Sequence, residues 1–383
     1  MSPVADKPKA GLEDVVAGES AICYLDGERG VLAYCGYDIH DLADAERGAT
    51  FEEVCHLLWH GRLPTRAELG DLQTALAASR TLSEPVLRAM RSLPKVDGMD
   101  ALRTLTSILQ HYDPDGTDNS AHANYRKAVR LTGQLGSLVA TWGRMAAGGG
   151  PIDPDPALGH AANFLYMLTG QRPSPLAARA FDVSLILHAD HELNASTFAA
   201  RVAAATLTDI HSTIVAAIGT LKGPLHGGAN AEVMKMLLDI GKDAGPEKAV
   251  EVVRAKLARK EKVSGFGHRV YRTEDPRATH LRRMSKAIGE RAGQPHWFAM
   301  SQRIEELIRT EKKLYANVDF YSASMFYSLG IPIDLYTPIF AVSRVSGWTA
   351  HVLEQYRNNR LIRPRTDYIG PAYPQTFLPL EQR

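Results

Sequence analysis

The spacing of apolar and polar residues predicts a chain built mainly of helices. Val54, Leu57 and Leu58 recur at helical intervals behind Thr50 and Glu53, a capping-box pattern, and Gly61 supplies a stop. Thr65 and Glu68 repeat the device at once, so two helices follow in quick succession. Further helices are predicted near 98–112, 121–147, 156–169 and 174–192, where alanine, leucine and methionine are frequent and prolines fall at starts or breaks. YDPDGTDN (112–119) and GGGPIDPDP (148–156) read as loops. The one clear strand signal is AICYLDGERGVLAY (21–34), which alternates around an Asp-Gly turn and predicts a small hairpin. No repeat and no long flexible linker divides the chain.

At 383 residues, 45% of them hydrophobic, the chain can fill one large domain or two smaller ones. Its 44 Lys and Arg nearly balance 43 Asp and Glu, so net charge suggests neither a nucleic-acid nor a membrane partner, and any anion must be held by local charge. Cys23, Cys35 and Cys55 are odd in number and share no metal-ligand spacing; we read them as core thiols in a reducing compartment. The opening MSPVADKPKAGLEDVV has acids and no apolar centre, unlike a secretory signal, and later apolar stretches are broken by Arg144, Asp209 and His211. A cytoplasmic protein is expected.

Chemistry concentrates in histidines with polar or glycine-rich neighbours. In HADHELNAST, His188, His191 and Glu192 would share one side of a helix near its C-terminal end, which suits either a satisfied helix end or a metal-dependent hydrolase; HADHE is not a recognised zinc pattern and no third ligand follows from spacing. In GPLHGGAN, Gly223 and Pro224 end one helical run while Gly227 and Gly228 open the next. His226 is thereby placed near a helix N-terminus, whose dipole would depress its pKa and favour a neutral hydrogen-bond donor.

From Arg254 to Arg272 the only acid is Glu261. Arg254 to Lys260 read as a solvated helix face, whereas Lys262 to Arg272, beside His268 in GFGHRVYRTEDPR, read as a site for a small polyanion. The segment completes neither G-x-G-x-x-G nor a P-loop. Asp319 in ANVDFYSAS supplies a possible base, and Arg277, Arg344 and Arg363 supply cations whose planar forks suit carboxylates. Metal hydrolysis on His188 and His191, or a non-catalytic helical scaffold, remain the alternatives at this level.

Together, GESAICYLDGERGVLAYCGYDI, HADHELNAST, GPLHGGAN, GFGHRVYRTEDPR, NVDFYSAS and SRVSGWTAH resemble the citrate synthase family in order and approximate spacing, over nearly the whole chain. The resemblance implies an all-α, two-domain helical fold with the small N-terminal β-hairpin. The large domain would comprise residues 1–225 and 325–383, and a small domain, 226–324, would close over the substrates. It implies condensation of acetyl-CoA with oxaloacetate and water to citrate and CoA, with 2-methylcitrate synthesis from propionyl-CoA as the runner-up. GHRVY, where dedicated methylcitrate enzymes have GHPVY, tilts the reading towards citrate.

The roles implied are Asp319 as base, His226 on the thioester carbonyl and His268 on the oxaloacetate ketone. Oxaloacetate would be held by His191, Arg277 and Arg344, with Arg363 reaching in from the partner of a homodimer. CoA, a co-substrate and not a resident cofactor, would lie against the backbone of Lys262, Val263, Ser264, Gly265 and Phe266, with Arg272 facing a phosphate; no metal is expected. The start of the chain, close to the hairpin, implies no extra N-terminal regulatory domain. Ala316 stands where many members have proline, which puts the stiffness of that loop in question.

Overall fold

The computed structural model describes residues 10–12 and 15–383, so most of the segment read for a leader lies outside the described residues. Strands β1 (Cys23–Asp26), β2 (Val31–Tyr34) and β3 (Tyr37–Asp38) form an antiparallel sheet in that order, with Asp26 opposite Val31 and Cys23 opposite Tyr34. The Asp-Gly pair opens a four-residue turn, with Asp26 accepting the Arg29 amide at 2.9 Å. The third strand is an addition to the predicted hairpin. It follows from a two-residue turn in which Cys35 and Gly36 take φ of 47° and 87°, and a cysteine at the first left-handed position hides that turn from sequence rules.

The helices run α1 (Ile39–Leu42), α2 (Phe51–His60), α3 (Arg66–Ser79), α4 (Glu84–Ser92), α5 (Gly98–Leu109), α6 (Ala121–Ala146), α7 (His160–Thr169), α8 (Pro175–His188), α9 (Ala195–Ala204) and α10 (Ile210–Leu221). After them come α11 (Ala229–Ile240), α12 (Gly245–Ala258), α13 (Pro276–Arg291), α14 (Pro295–Lys312), α15 (Val318–Ser328) and α16 (Tyr336–Arg357). Both predicted capping boxes form, at Thr50 with Glu53 and Thr65 with Glu68, and Gly61 ends α2 in the left-handed conformation.

Two predicted helices are shorter than expected. The α7 helix starts at His160, not near 156, because Asp155 turns the chain through the Ala157 amide and Glu52 takes the His160 amide at 2.7 Å. The α8 helix stops at His188, so Asp190, His191 and Glu192 lie in the following loop. Its last carbonyls are taken from afar, Ile186 by the Tyr34 hydroxyl at 3.0 Å and His188 by Arg344 Nε at 2.6 Å.

Helix α16 forms the core axis, with Val345 and Trp348 fully buried and α2, α6, α8, α9 and α10 packed around it. Gly347 lets it approach the chain after α8: a Cβ there would lie 2.3 Å from the Ala189 carbonyl oxygen. A second group, α11 to α15, packs chiefly on itself through α13 on α15, α12 on α14 and α11 on α15; it meets the rest mainly where α13 touches α8 and α1 and α11 touches α16. Among the described residues no helix is long and apolar enough to cross a membrane. Cys55 is buried, Cys23 and Cys35 are half-buried, and burial pushes all three thiols up in pKa, which fits core thiols.

Candidate active site

Groups distant in sequence meet because two loops pair. The Gly267 amide donates to the Tyr315 carbonyl and the Asn317 amide to the Gly265 carbonyl, both at 2.9 Å, making a bridge between Phe266 and Ala316. Gly265 has φ 86°, and a Cβ there would strike Phe320 and Val233 at 2.8 and 2.9 Å, so glycine is required on both counts. Asn317 caps α15 and also donates its side-chain amide to the Gly267 carbonyl at 3.0 Å. The Ala316 amide is not a donor in the bridge; the neighbouring pairs and Asn317 tie the two loops together.

The paired loop presents His268. Its Nδ1 accepts the amides of Val270 and Tyr271 at 3.0 and 3.2 Å, which fixes the neutral ring as an Nε2–H donor. Burial first, then the charge of Arg277, pushes its pKa down to about 4. His191 stacks edge-on to it with ring centroids 5.1 Å apart, and its Nε2 lies 3.2 Å from the Tyr271 hydroxyl. Burial and the same guanidinium hold His191 well below the usual histidine range.

Asp275 caps α13 and grips Arg277 through two bonds of 2.9 and 2.7 Å, while its Oδ2 also accepts the Val318 amide at 3.2 Å. Burial alone would raise the pKa of Asp275, but Arg277 outweighs it and the carboxyl ends below its ordinary value. This single residue thus ties the arginine to the start of the helix that carries Asp319.

His226 lies in the turn before α11. The Ser196 amide approaches its Nε2 at 3.3 Å and the Ser196 hydroxyl at 2.8 Å, so Nε2 accepts and Nδ1 carries the proton. Ser196 is itself fixed, with Oγ 2.8 Å from Asn194 Oδ1 and 3.1 Å from Trp348 Nε1. The His226 pKa is pushed down to about 4, as anticipated; burial is the leading cause and the charge of Arg344 follows.

Arg344, 1% exposed, donates Nε to the His188 carbonyl, stacks 4.7 Å over the Phe340 ring and pairs with no carboxylate among the described residues. Asp319 is half-buried on the first turn of α15, and its carboxylate takes no hydrogen bond from a described residue. Burial raises its pKa to about 6 against the pull of Arg277 and Arg344. Two neutral imidazole donors and a carboxylate of raised basicity therefore surround two buried guanidinium groups, a set suited to enolising a carbonyl compound beside a bound dianion.

Other predicted residues stand apart. Arg363 is exposed on a tail, residues 358–383, that also exposes Leu361, Ile369, Tyr373 and Phe377. Lys262 and Arg272 are exposed, Ser264 and Phe266 half-buried, Val263 and Gly265 buried, and the Gly265 carbonyl is already used by Asn317. Arg254, Lys256 and Arg259 pair with Glu311 or Glu261 on the surface. His188 sends Nδ1–H to the Ser184 carbonyl at 2.7 Å and packs on Phe340, so the shared helix face imagined for a metal pair does not exist. No group of three or more His, Cys, Asp and Glu among the described residues is arranged to hold a metal ion. Asp275, Ser196 and Tyr271 join the site without having been candidates from sequence, though all three lie inside GFGHRVYRTEDPR or HADHELNAST.

A family model described as "Citrate synthase, C-terminal domain" matches residues 11–365. The chain is 53% identical over 375 residues to "Citrate synthase 2" of Bacillus subtilis, covering 97% of this chain and 98% of that one. It is 41% identical over 387 residues to the "2-methylcitrate synthase" of Shewanella oneidensis, covering 100% of both. Among solved structures, the citrate synthase from Pyrobaculum aerophilum superposes with a TM-score of 0.89 at 44% identity, over 97% of this chain and 95% of that one.

Proposed function

The chain belongs to the citrate synthase family, and from that premise we propose that it condenses acetyl-CoA with oxaloacetate and water to give citrate and CoA. The observation that carries the reading is Arg344. A buried guanidinium with no carboxylate in contact among the described residues is costly, and its placement makes sense if a substrate carboxylate completes it. Oxaloacetate brings two carboxylates, for Arg344 and Arg277, and a ketone for the Nε2–H of His268.

In this mechanism Asp319 removes a proton from the thioester methyl group while the Nδ1–H of His226 hydrogen-bonds the carbonyl oxygen, which takes the enolic charge. The enol carbon then bonds to the ketone carbon of oxaloacetate, and the ketone oxygen gains its proton from the His268 side. Water cleaves the resulting thioester, releasing CoA and making the sequence effectively irreversible. Both imidazoles titrate near pH 4, so each acts as a neutral donor at neutral pH.

The self-packed group α11 to α15 supports a small domain spanning 226–324 that closes on a large domain of 1–225 and 325–383, with oxaloacetate binding first and acetyl-CoA second. CoA would then meet Lys262 to Phe266 and Arg272. The exposed, partly apolar tail supports a homodimer in which each tail lies on its partner and Arg363 completes the partner's site. A cytoplasmic location fits the want of a membrane-crossing helix among the described residues.

The 2-methylcitrate reading stays as runner-up, since relatives bear both names, and one methylene changes binding in an apolar pocket by only about 1–3 kcal/mol. Thiol release from acetyl-CoA and propionyl-CoA at saturating oxaloacetate tests the choice. Higher kcat/KM for acetyl-CoA is expected; a clear preference for propionyl-CoA would transfer the reading to 2-methylcitrate.

A further inference from the structure

One small sheet holds both histidine loops of the site. At one end, the fully buried Tyr34 of β2 places its hydroxyl 3.0 Å from the carbonyls of Ile186 and Asp190 and 3.3 Å from the Asp190 amide, on the segment leading into His191. At the other end, the β1–β2 turn presses on the loop that follows His268. The Arg272 amide donates to the Gly27 carbonyl at 2.9 Å, and a Cβ on Gly27 would lie 2.2 Å from the Val270 carbonyl oxygen. Val270 is also the residue whose amide fixes His268 Nδ1. Just beyond the sheet, His40 Nδ1 lies 2.9 Å from Nε2 of His280 on α13, the helix whose first turn carries Arg277.

Resting on the citrate synthase reading, we infer that this sheet is a positioning element for the condensation. Tyr34 and Gly27 hold the His191 and His268 loops in one fixed relation across the boundary between the two helical groups, so that oxaloacetate meets both rings at once. These residues act through the loops they clamp. Their geometry explains why the turn tolerates no side chain at Gly27, whose own φ is not left-handed and would accept alanine in open space. Misplacing a reacting group by about 1 Å can cost about 100-fold in rate.

The test is steady-state kinetics of Gly27→Ala, Tyr34→Phe and Gly36→Ala. Gly36 has φ 87° with nothing within 4 Å of an added Cβ, so its alanine variant strains the same sheet without reaching a loop. In Gly27→Ala and Tyr34→Phe, KM for oxaloacetate should rise about tenfold or more, while KM for acetyl-CoA at saturating oxaloacetate moves less than about twofold. Gly36→Ala should keep the wild-type KM for oxaloacetate. Wild-type KM in Gly27→Ala, or an equal rise in Gly36→Ala, overturns the inference. If Gly27→Ala does not fold, Tyr34→Phe decides against Gly36→Ala, and an unchanged KM in Tyr34→Phe is equally fatal. An active wild type with indifferent variants defeats this inference alone; a wild type that releases no thiol defeats the reading beneath it.

Discussion

Arg277 and Arg344 both pull on Asp319 and are almost equally buried, at 2% and 1% exposure, yet they are held in opposite ways. Arg277 starts α13 in a two-bond grip from Asp275, and that partner keeps it firmly charged. Arg344, in the middle of α16, has a carbonyl and an aromatic face, and burial lowers its pKa to about 10. One cation is gripped by a carboxylate in direct contact; the other feels the charge of Asp190 only from beyond contact distance. The contrast teaches that equal burial does not mean equal roles: on the proposed mechanism Arg277 serves both fold and ligand, whereas Arg344, which has no carboxylate in contact, serves mainly the ligand.

Replacing each arginine by leucine separates these roles. Arg344→Leu should lower kcat/KM for oxaloacetate by about 1,000-fold, as expected for loss of a buried charge-assisted contact, yet cost only about 1–3 kcal/mol of stability, because no charge but only the His188 carbonyl loses its partner. Denaturant unfolding alongside the assay checks both. A strongly destabilised Arg344→Leu would break the comparison. Arg277→Leu should lose comparable activity and also about 3–5 kcal/mol of stability, because Asp275 is left buried and charged. Adding Asp275→Leu should restore most of that stability without restoring activity.

Arg363 extends the comparison to an exposed cation. Arg363→Ala should cost about 10- to 100-fold in kcat/KM if it reaches the partner's site, with unfolding free energy within about 0.5 kcal/mol of wild type. Activity equal to wild type would remove it from the site.

A smaller effect should show in the pH profile. If Asp319 is the base, as proposed, it must be ionised, so kcat/KM should fall about tenfold per pH unit below about pH 6, while His226 and His268 remain neutral until about pH 4. Removing Arg344 should move that acid limb upward, and removing Arg277 should move it further, because Asp275 then adds an unbalanced negative charge. The same groups oppose each other in stability. The raised Asp319 favours the folded state at low pH and loses that contribution as pH rises from about 3.8 to about 6. The two lowered histidines favour folding above pH 6.5 and lose theirs as pH falls towards about 4.

Local rules were readable where the cause is local. Thr50 with Glu53, Thr65 with Glu68 and the strands around Asp26-Gly27 form because each signal and its partner lie within a few residues. The end of α8 could not be read, since Tyr34 and Arg344 take its carbonyls from far along the chain. The direction of the His226 shift was legible from its setting between glycines, but its cause was not, because burial is a property of the packed molecule. Asp275 hid for a related reason. Its cap before Pro276 is visible in the sequence, yet its link to Val318 exists only once the 265–267 and 315–317 segments pair.

The central claim is that Asp319 is the base that enolises the thioester, set beside a separately bound dianion. It is tested most directly by thiol release from acetyl-CoA at saturating oxaloacetate in wild type and Asp319→Asn, with oxaloacetate affinity measured by calorimetry on both. The account predicts a fall in kcat of about 100- to 10,000-fold with near-normal oxaloacetate binding. Wild-type turnover by Asp319→Asn would contradict it.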